Sequence, residues 1–256
     1  MEKNFIGIVL AGGHATRLRP CTNVTNKHLL PVYNQPMIYY PIQTLVKAQV
    51  KDIMIVTGTD HENSFRELFR NNPDFSGINF QFAIQKEAGG IAQALALARE
   101  FAGNRPIIVI LGDNVFEDDI TGAVMSFLKQ EKGAKLFLKE VPDPERFGVA
   151  EIKDDKIVSI EEKPMAPKSN LAVTGLYMYD TDVWKAIDTL KPSARGELEI
   201  TDVNNWFSKN SIVTFDVITG DWTDAGTFRS LLRANLIAAK KAGSDVKEVI
   251  KEVFGK

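Results

Sequence analysis

The sequence predicts an α/β protein built on a mostly parallel sheet with helices on both faces. Three observations carry that expectation. Continuous apolar runs recur at residues 5–10 (FIGIVL), 52–57 (DIMIVT) and 106–111 (PIIVIL), as expected of strands buried on both faces. Stretches with apolar residues at helical spacing separate them, so strand and helix alternate over about 130 residues, the pattern of a sheet with right-handed crossovers. Polar segments rich in glycine follow the first and last of these runs and the strand-like stretch 79–85, at 12–17, 112–114 and 85–90. Those are the carboxyl ends of the strands, where open sheets of this kind bind ligands.

In chain order, residues 5–10 form the first strand and 11–17 (AGGHATR) the loop after it. Gly12 and Gly13 allow sharp turns and leave no side chain in a ligand's way. Consecutive backbone N–H groups there can converge on one anion. Thr16 adds a hydroxyl, and Arg17 and Lys27 add two cations. The segment suits a polyphosphate; a plain strand–turn connection with solvated cations is the alternative, since a Gly-Gly pair is a weak signal. Residues 36–50 read as a helix in which Pro41 marks an early turn or kink. Residues 52–57 are the second strand, 62–70 a helix, 73–77 a turn and 79–85 (NFQFAIQ) the third strand. Residues 91–101 read as one alanine-rich helix, 106–111 as the fourth strand and 120–131 as a helix. After 135 the strands are expected to be shorter and partly exposed: 136–141, 148–152, 157–161 and 172–179, with Asp154-Asp155 a hairpin tip. Helices are expected at 182–190 and 200–209, a strand at 212–217, and a turn at 222–226. Residues 227–241 are strongly periodic with Thr227 a candidate N-cap, and 245–254 read as a short amphipathic helix.

The chain of 256 residues, 44% hydrophobic and 25% charged, is ordinary for a globular protein with a sizeable core. A net charge of −2 without a basic block does not suggest nucleic-acid binding. Cys21 is the only cysteine, so no intrachain disulfide forms; it reads as a small space-filler near the loop. No apolar run reaches the roughly 18 residues of a membrane span, and no leader-like segment precedes the first strand. The expected location is the cytoplasm, with no membrane partner.

LAGGHATRLRP with Lys27 and Pro31, then QKEAGGIAQAL, LGDN, FGVAEI, EEKP, TGLYMYD, GELEITDVN and WTDAGTF follow one another in this chain. In order and spacing they resemble the sugar-1-phosphate nucleotidyltransferases, most closely the short glucose-1-phosphate thymidylyltransferases. The resemblance implies a Rossmann-like sheet with an inserted, β-rich sugar-binding subdomain. One domain would span 1–243, with a nucleotide-binding half to about 133, a sugar-binding half over about 134–225, a closing helix at 226–243 and a tail at 244–256. It implies direct in-line attack of a sugar 1-phosphate oxygen on the α-phosphorus of a nucleoside triphosphate, with release of pyrophosphate and no covalent intermediate. No serine–histidine or cysteine–histidine constellation stands against that.

Carried over residue by residue, the resemblance makes Arg17, Lys27, Asp113 and Asp224 the catalytic set, with Asp113 and Asp224 holding Mg²⁺. Leu10, Gly12, Gly13, Thr16, Gln85, Gly90 and Asn114 would bind the nucleotide. Gln85 would read a pyrimidine edge, because an amide offers a donor and an acceptor. Gly148, Glu162, Lys163, Val173, Tyr177 and Trp222 would bind the sugar phosphate. Taken singly, each has a plainer reading: solvated cations for Arg17 and Lys27, turn aspartates for Asp113 and Asp224, a polar strand end for Gln85, a charged strand end with a proline stop for 161–164.

Ala15 stands where the motif usually has glycine, and a methyl there could hinder the loop or forbid a positive φ. His14 reads as an exposed loop residue, and His28 and His61 are too scattered for a metal site. The chain ends before the longer helical tail of the thymidylyltransferases, which carries a secondary nucleotide site and subunit contacts. Feedback inhibition and a tetramer are therefore not expected, and a homo-oligomer stays open. So do two other functions: the same chemistry with UTP, and a nucleotide-sugar-binding regulator without turnover.

Overall fold

The structure is a computed structural model that describes residues 4–13, 15–130 and 132–255. His14, whose loop position was anticipated above, lies outside the described residues.

The parallel half is laid down first. β1 (Ile6–Ala11) is buried at every position. A two-residue ribbon, β2 (Pro31–Val32) and β3 (Gln35–Pro36), precedes α1 (Tyr39–Lys47). Pro41 falls in the first turn of α1, where its missing N–H would have no helical partner anyway. β4 (Asp52–Gly58), α2 (Glu62–Phe69) and β5 (Asn79–Gln85) follow. The expected single helix over 91–101 is broken into α3 (Ile91–Ala96) and α4 (Arg99–Ala102). At the break Leu97 N donates to Ala94 O (3.3 Å) and Ala98 N to Leu95 O (3.0 Å), tighter bonds that end an α-helical run. β6 (Ile107–Leu111) then completes the order β6-β1-β4-β5, all parallel.

Alternate side chains of β1 feed opposite faces. Ile6, Ile8 and Leu10 pack with α3 and α4. Val9 and Ala11 pack with Ile42 and Leu45 of α1 and Phe65 of α2. That is the doubly covered sheet expected from the continuous apolar runs.

The second half enters the same sheet. β7 (Asn114–Phe116), α5 (Thr121–Lys129) and β8 (Ala134–Glu140) lead to the hairpin β9 (Gly148–Lys153) and β10 (Lys156–Glu162). Asp154 and Asp155 form its two-residue tip, both at positive φ, as such hairpin turns require. β11 (Leu171–Tyr179) is nine residues long and buried except at its first, unlike the short, partly exposed strand expected there. It lies between β6 and β8, antiparallel to both, and its alternating side chains enter the cores on both faces of the sheet, Val173, Tyr177 and Tyr179 on one and Ala172, Leu176 and Met178 on the other. α6 (Val183–Asp188) and α7 (Ile200–Asn210) join α3 on one face, and β12 (Val213–Val217) pairs with β8.

Residues 222–226, expected as a turn, begin instead with β13 (Trp222–Asp224), antiparallel to β7. Three residues are too few to show a strand period. α8 (Phe228–Lys241) opens on a capping box: Ser230 N donates to Thr227 Oγ1 and Thr227 N to Ser230 Oγ. α9 (Val246–Phe254) closes the chain, capped by Asp245. No helix among the described residues is long and apolar enough to cross a membrane.

Candidate active site

Because β1, β4, β5 and β6 are parallel, the segments that follow them meet at one edge. After β1, Ala15 takes φ 46° and ψ 41°. Left-handed backbone costs a residue with a β-carbon about 1–2 kcal/mol, yet the chain adopts it. Thr22 Oγ1 donates to the Ala15 carbonyl (2.9 Å), as does Leu18 N (3.0 Å). Cys21 is exposed, which corrects the expectation of a packed space-filler. On the outer side of the loop lies a cavity of about 520 Å³ that Arg19, Lys27 and Lys86 line. Thr16 is exposed and lines none of the three cavities around the loop.

Lys27 opens a short helical turn that Asn26 caps. Asn26 Oδ1 accepts from His28 N (2.9 Å) and lies 2.7 Å from His28 Nδ1, while Asn26 Nδ2 donates to the Ala11 carbonyl (3.3 Å). The turn is thereby tied to the end of β1. Burial, aided by the Lys27 charge, pushes the His28 imidazole down to about 3, so it is neutral near pH 7. Lys27 Nζ reaches Asp113 Oδ2 at 2.5 Å.

Asp113, in the turn between β6 and β7, and Asp224, the last residue of β13, come from segments far apart in sequence. Ala225 N donates to the Asp113 carbonyl (2.8 Å), and Asp224 pairs opposite Asn114 in the β7–β13 ribbon. Burial alone would push the Asp113 carboxyl up. The Lys27 ammonium, His28 and the hydrogen bonds from Lys27 and Asn114 outweigh it and hold the group well below the usual carboxylate range. Asp224 goes the other way: burial first, then the facing Asp113 charge, push it up to about 6, against the pull of Arg146, Lys27 and Arg17. Two half-buried carboxylates whose charges oppose each other, one resisting ionisation, describe a place that would take further positive charge. A β-carbon on Gly226 would stand 3.2 Å from both Arg17 Nη2 and Asp224 Oδ2, so Arg17 and Asp224 flank that glycine.

Asn114 serves as a junction. Its Nδ2 donates to Asp113 Oδ1 (2.9 Å), and its Oδ1 accepts from Trp222 Nε1 (2.8 Å) and Gly175 N (3.0 Å). It lines the larger of the two cavities that meet at Asp113 and not the smaller. The strand β11 shifts register between Val173 and Tyr177, and any side chain at Gly175 would overlap the Asn114 amide.

Two cavities meet at Asp113. The smaller, about 260 Å³, has Leu10, Ile91, Ala94 and Leu111 as apolar walls, with Gly12, Gly13, Lys27, Gln85 and Gly90 at its edge. Gly90 has φ +98°, and a β-carbon there would sit 2.5 Å from the Leu198 carbonyl, so only glycine fits. The larger, about 430 Å³, brings together Gly148, Glu162, Lys163, Val173, Tyr177 and Trp222 with Arg17 and Asp224. Glu162 Oε2 accepts from Thr201 Oγ1 (2.6 Å), and its Oε1 lies 3.4 Å from Arg195 Nη2. Arg195 itself pairs with Glu199 (2.8 Å), whose other oxygen accepts from Ser193 (2.7 Å). Burial raises the Tyr177 hydroxyl above its ordinary range.

Residues 6–241 match the sequence model of the nucleotidyl transferase family. The chain belongs to the nucleotidyl transferase family. Among its curated relatives, the glucose-1-phosphate thymidylyltransferase of Neisseria meningitidis is 44% identical over 89% of this chain and 80% of its own length. That of Mycolicibacterium smegmatis is 42% identical over 90% and 80%. A Bacillus anthracis protein provisionally assigned as a glucose-1-phosphate thymidylyltransferase, solved with sucrose, superposes with TM-score 0.87 at 53% identity, over 91% of this chain and 95% of that one. A UDP-glucose pyrophosphorylase solved with UDP-glucose shares the fold at TM-score 0.84 and 23% identity.

Several residues of this nucleotidyl transferase site were not singled out from the sequence. Arg146, 3.6 Å from Asp224, and Arg195 both line the larger cavity. Asn26 and His28 brace Lys27. Gln93 bonds Gln85. The only sequence signal for them is position: each lies within or beside a quoted motif, without a chemical pattern of its own.

Proposed function

We propose that the chain transfers a thymidylyl group from dTTP to glucose 1-phosphate, giving dTDP-glucose and pyrophosphate. The observation that carries this reading is the meeting of an apolar, base-sized cavity and a polar, sugar-sized cavity at Asp113, with Lys27 and Arg17 at the junction. Family membership and the named relatives support it.

In this reading the sugar phosphate oxygen attacks the α-phosphorus and forms the new P–O bond, and the bond to pyrophosphate breaks. Two anions must be brought together, so neutralisation and alignment are the main tasks. Lys27, a compact charge held beside Asp113, lies where the α-phosphate would cross between the cavities. Arg17 offers a planar fork to phosphate oxygens. The cations Arg19 and Lys86 of the outer cavity give the departing pyrophosphate room and charge. Glu162, already oriented by Thr201 and Arg195, accepts from sugar hydroxyls, and Lys163 and Arg195 face the sugar phosphate.

Asp113 and Asp224 fit Mg²⁺: two hard oxygen donors beside a triphosphate are what this ion takes, with waters and phosphates completing its shell. Among the described residues no third His, Cys, Asp or Glu joins them, as suits an ion shared with substrate. When bound, it would neutralise the two carboxylates and the triphosphate together. A nucleoside triphosphate substrate supports a cytoplasmic location.

Pyrophosphate release, measured with dTTP, UTP, CTP, ATP and GTP against several sugar 1-phosphates and Mg²⁺, tests the reading. Turnover should be highest with dTTP and glucose 1-phosphate. Nucleotide binding without turnover for any pair would overturn it in favour of a regulatory protein.

A further inference from the structure

The amide of Gln85 is not free to present either end to a ligand. Its Nε2 donates to the Gly90 carbonyl (3.2 Å) and to Gln93 Oε1 (2.8 Å). Both of its N–H bonds are thus used inside the protein. Gln93 Oε1 in turn accepts from Gly89 N (3.0 Å). The two backbone groups at the ends of this chain cannot change character: Gly89 N–H can only donate and the Gly90 carbonyl can only accept. They fix which end of each amide is nitrogen and which is oxygen, which rotation of a side-chain amide would otherwise leave open. The remaining group, Gln85 Oε1, stands beside Gly12, where a β-carbon would lie 2.9 Å from it, and both residues line the base-sized cavity. Gln93 itself stands behind, outside the lining of that cavity.

We propose that Gln93 is a positioning residue that sets base specificity, by locking Gln85 so that it offers only an acceptor to the nucleobase. This rests on the nucleotide reading of the cavity. Set opposite N3, a lone acceptor selects a pyrimidine that carries a proton there, as uracil and thymine do. Cytosine presents a lone pair at N3, so it would face oxygen against nitrogen with no proton between them. A site built around one buried polar group rejects such a mismatch far more strongly than it rejects a missing methyl. Without Gln93 only the longer bond to the Gly90 carbonyl (3.2 Å) would hold the Gln85 amide, so the amide could turn over more readily and present its N–H₂ to cytosine.

The test is equilibrium binding of dUTP and dCTP, which differ only at the N3–C4 edge, to the intact protein with Mg²⁺, so no turnover is needed. Wild type should prefer dUTP at least about 100-fold. Gln93→Met keeps the length and removes the acceptor; its dUTP/dCTP ratio should fall at least tenfold, mainly through tighter dCTP binding. Gln93→Glu keeps an acceptor for both Gly89 N and Gln85 Nε2, and its ratio should stay within about threefold of wild type. A wild type that binds both nucleotides alike would overturn the reading of the cavity itself. A discriminating wild type with an unchanged ratio in Gln93→Met, or equal weakening of both nucleotides there, would overturn the role of Gln93 alone. So would relaxation in Gln93→Glu, a variant that remains informative if Gln93→Met does not fold.

Discussion

Lys27 and Asp113 form an ion pair whose side chains are only 15% and 13% exposed. Removing one member of such a pair leaves the other buried without its counter-charge, which typically costs about 3–5 kcal/mol. Lys27→Met should therefore lower the thermal midpoint as well as turnover, since Asp113 and Asp224 would then face each other with less opposing charge; differential scanning calorimetry and a pyrophosphate assay read the two. Asp113→Asn is expected to separate them. It keeps the shape, the Asn114 contact and, in Asp224, a counter-charge for Lys27, so the fold should survive while Mg²⁺-dependent turnover falls by about a thousandfold or more, roughly 4 kcal/mol of barrier. Near-normal turnover would remove Asp113 from the proposed metal ligands. Ala15→Gly addresses the loop. It relieves the left-handed alanine at the cost of a more flexible unfolded chain. The net change in stability should be under about 1 kcal/mol, with turnover equal or higher.

At the scale of elements, the ribbon of β7 and β13 sets the distance between the two aspartates, and the cap of α8 begins three residues after Asp224. Thr227→Ala removes the cap acceptor and should cost about 1 kcal/mol in chemical denaturation. A Gly226→Ala variant adds a methyl between Arg17 Nη2 and Asp224 Oδ2, each 3.2 Å from the new atom. One of the two groups must then give way, so the KM for a substrate should rise while the melting temperature changes little. These elements also mark what the sequence could and could not tell. The continuous runs at 5–10, 52–57 and 106–111 were legible because burial on both faces leaves a compositional trace. β13 was not, because three residues hold no period and its partner lies about a hundred residues away. His28 and Asn26 were passed over because their role is to bond each other and Ala11, a relation that spacing does not encode. The burial of β11 depends on its neighbours on either side, which only the assembled sheet supplies.

For the whole molecule, the buried neutral His28 links stability to pH. Burial pushes its ring down to about 3 in the folded state, from an ordinary 6.5. Between those values the unfolded chain binds more protons than the native one, so stability rises with pH there and is lost as pH falls from about 6.5 toward about 3. Asp224, raised to about 6 from 3.8, acts in the opposite sense over its own window, where the native state binds the extra proton. The difference between wild type and His28→Asn isolates the histidine. Urea denaturation at pH 7 and pH 5 should show wild type losing on the order of 2 kcal/mol more than the variant on acidification. An equal loss in both proteins would mean that His28 takes up its proton in the folded state.

The two cavities share a wall: Ile91, Leu111, Asp113 and Glu197 line both. Whichever substrate arrives first covers part of the surface the second would have touched and supplies part of its own in exchange. The two affinities are then linked by one coupling free energy, and the factor by which nucleotide alters sugar phosphate binding must equal the factor in the reverse order. Residues from each half of the chain line both cavities, so in the proposed reaction neither substrate would be recognised by one half alone.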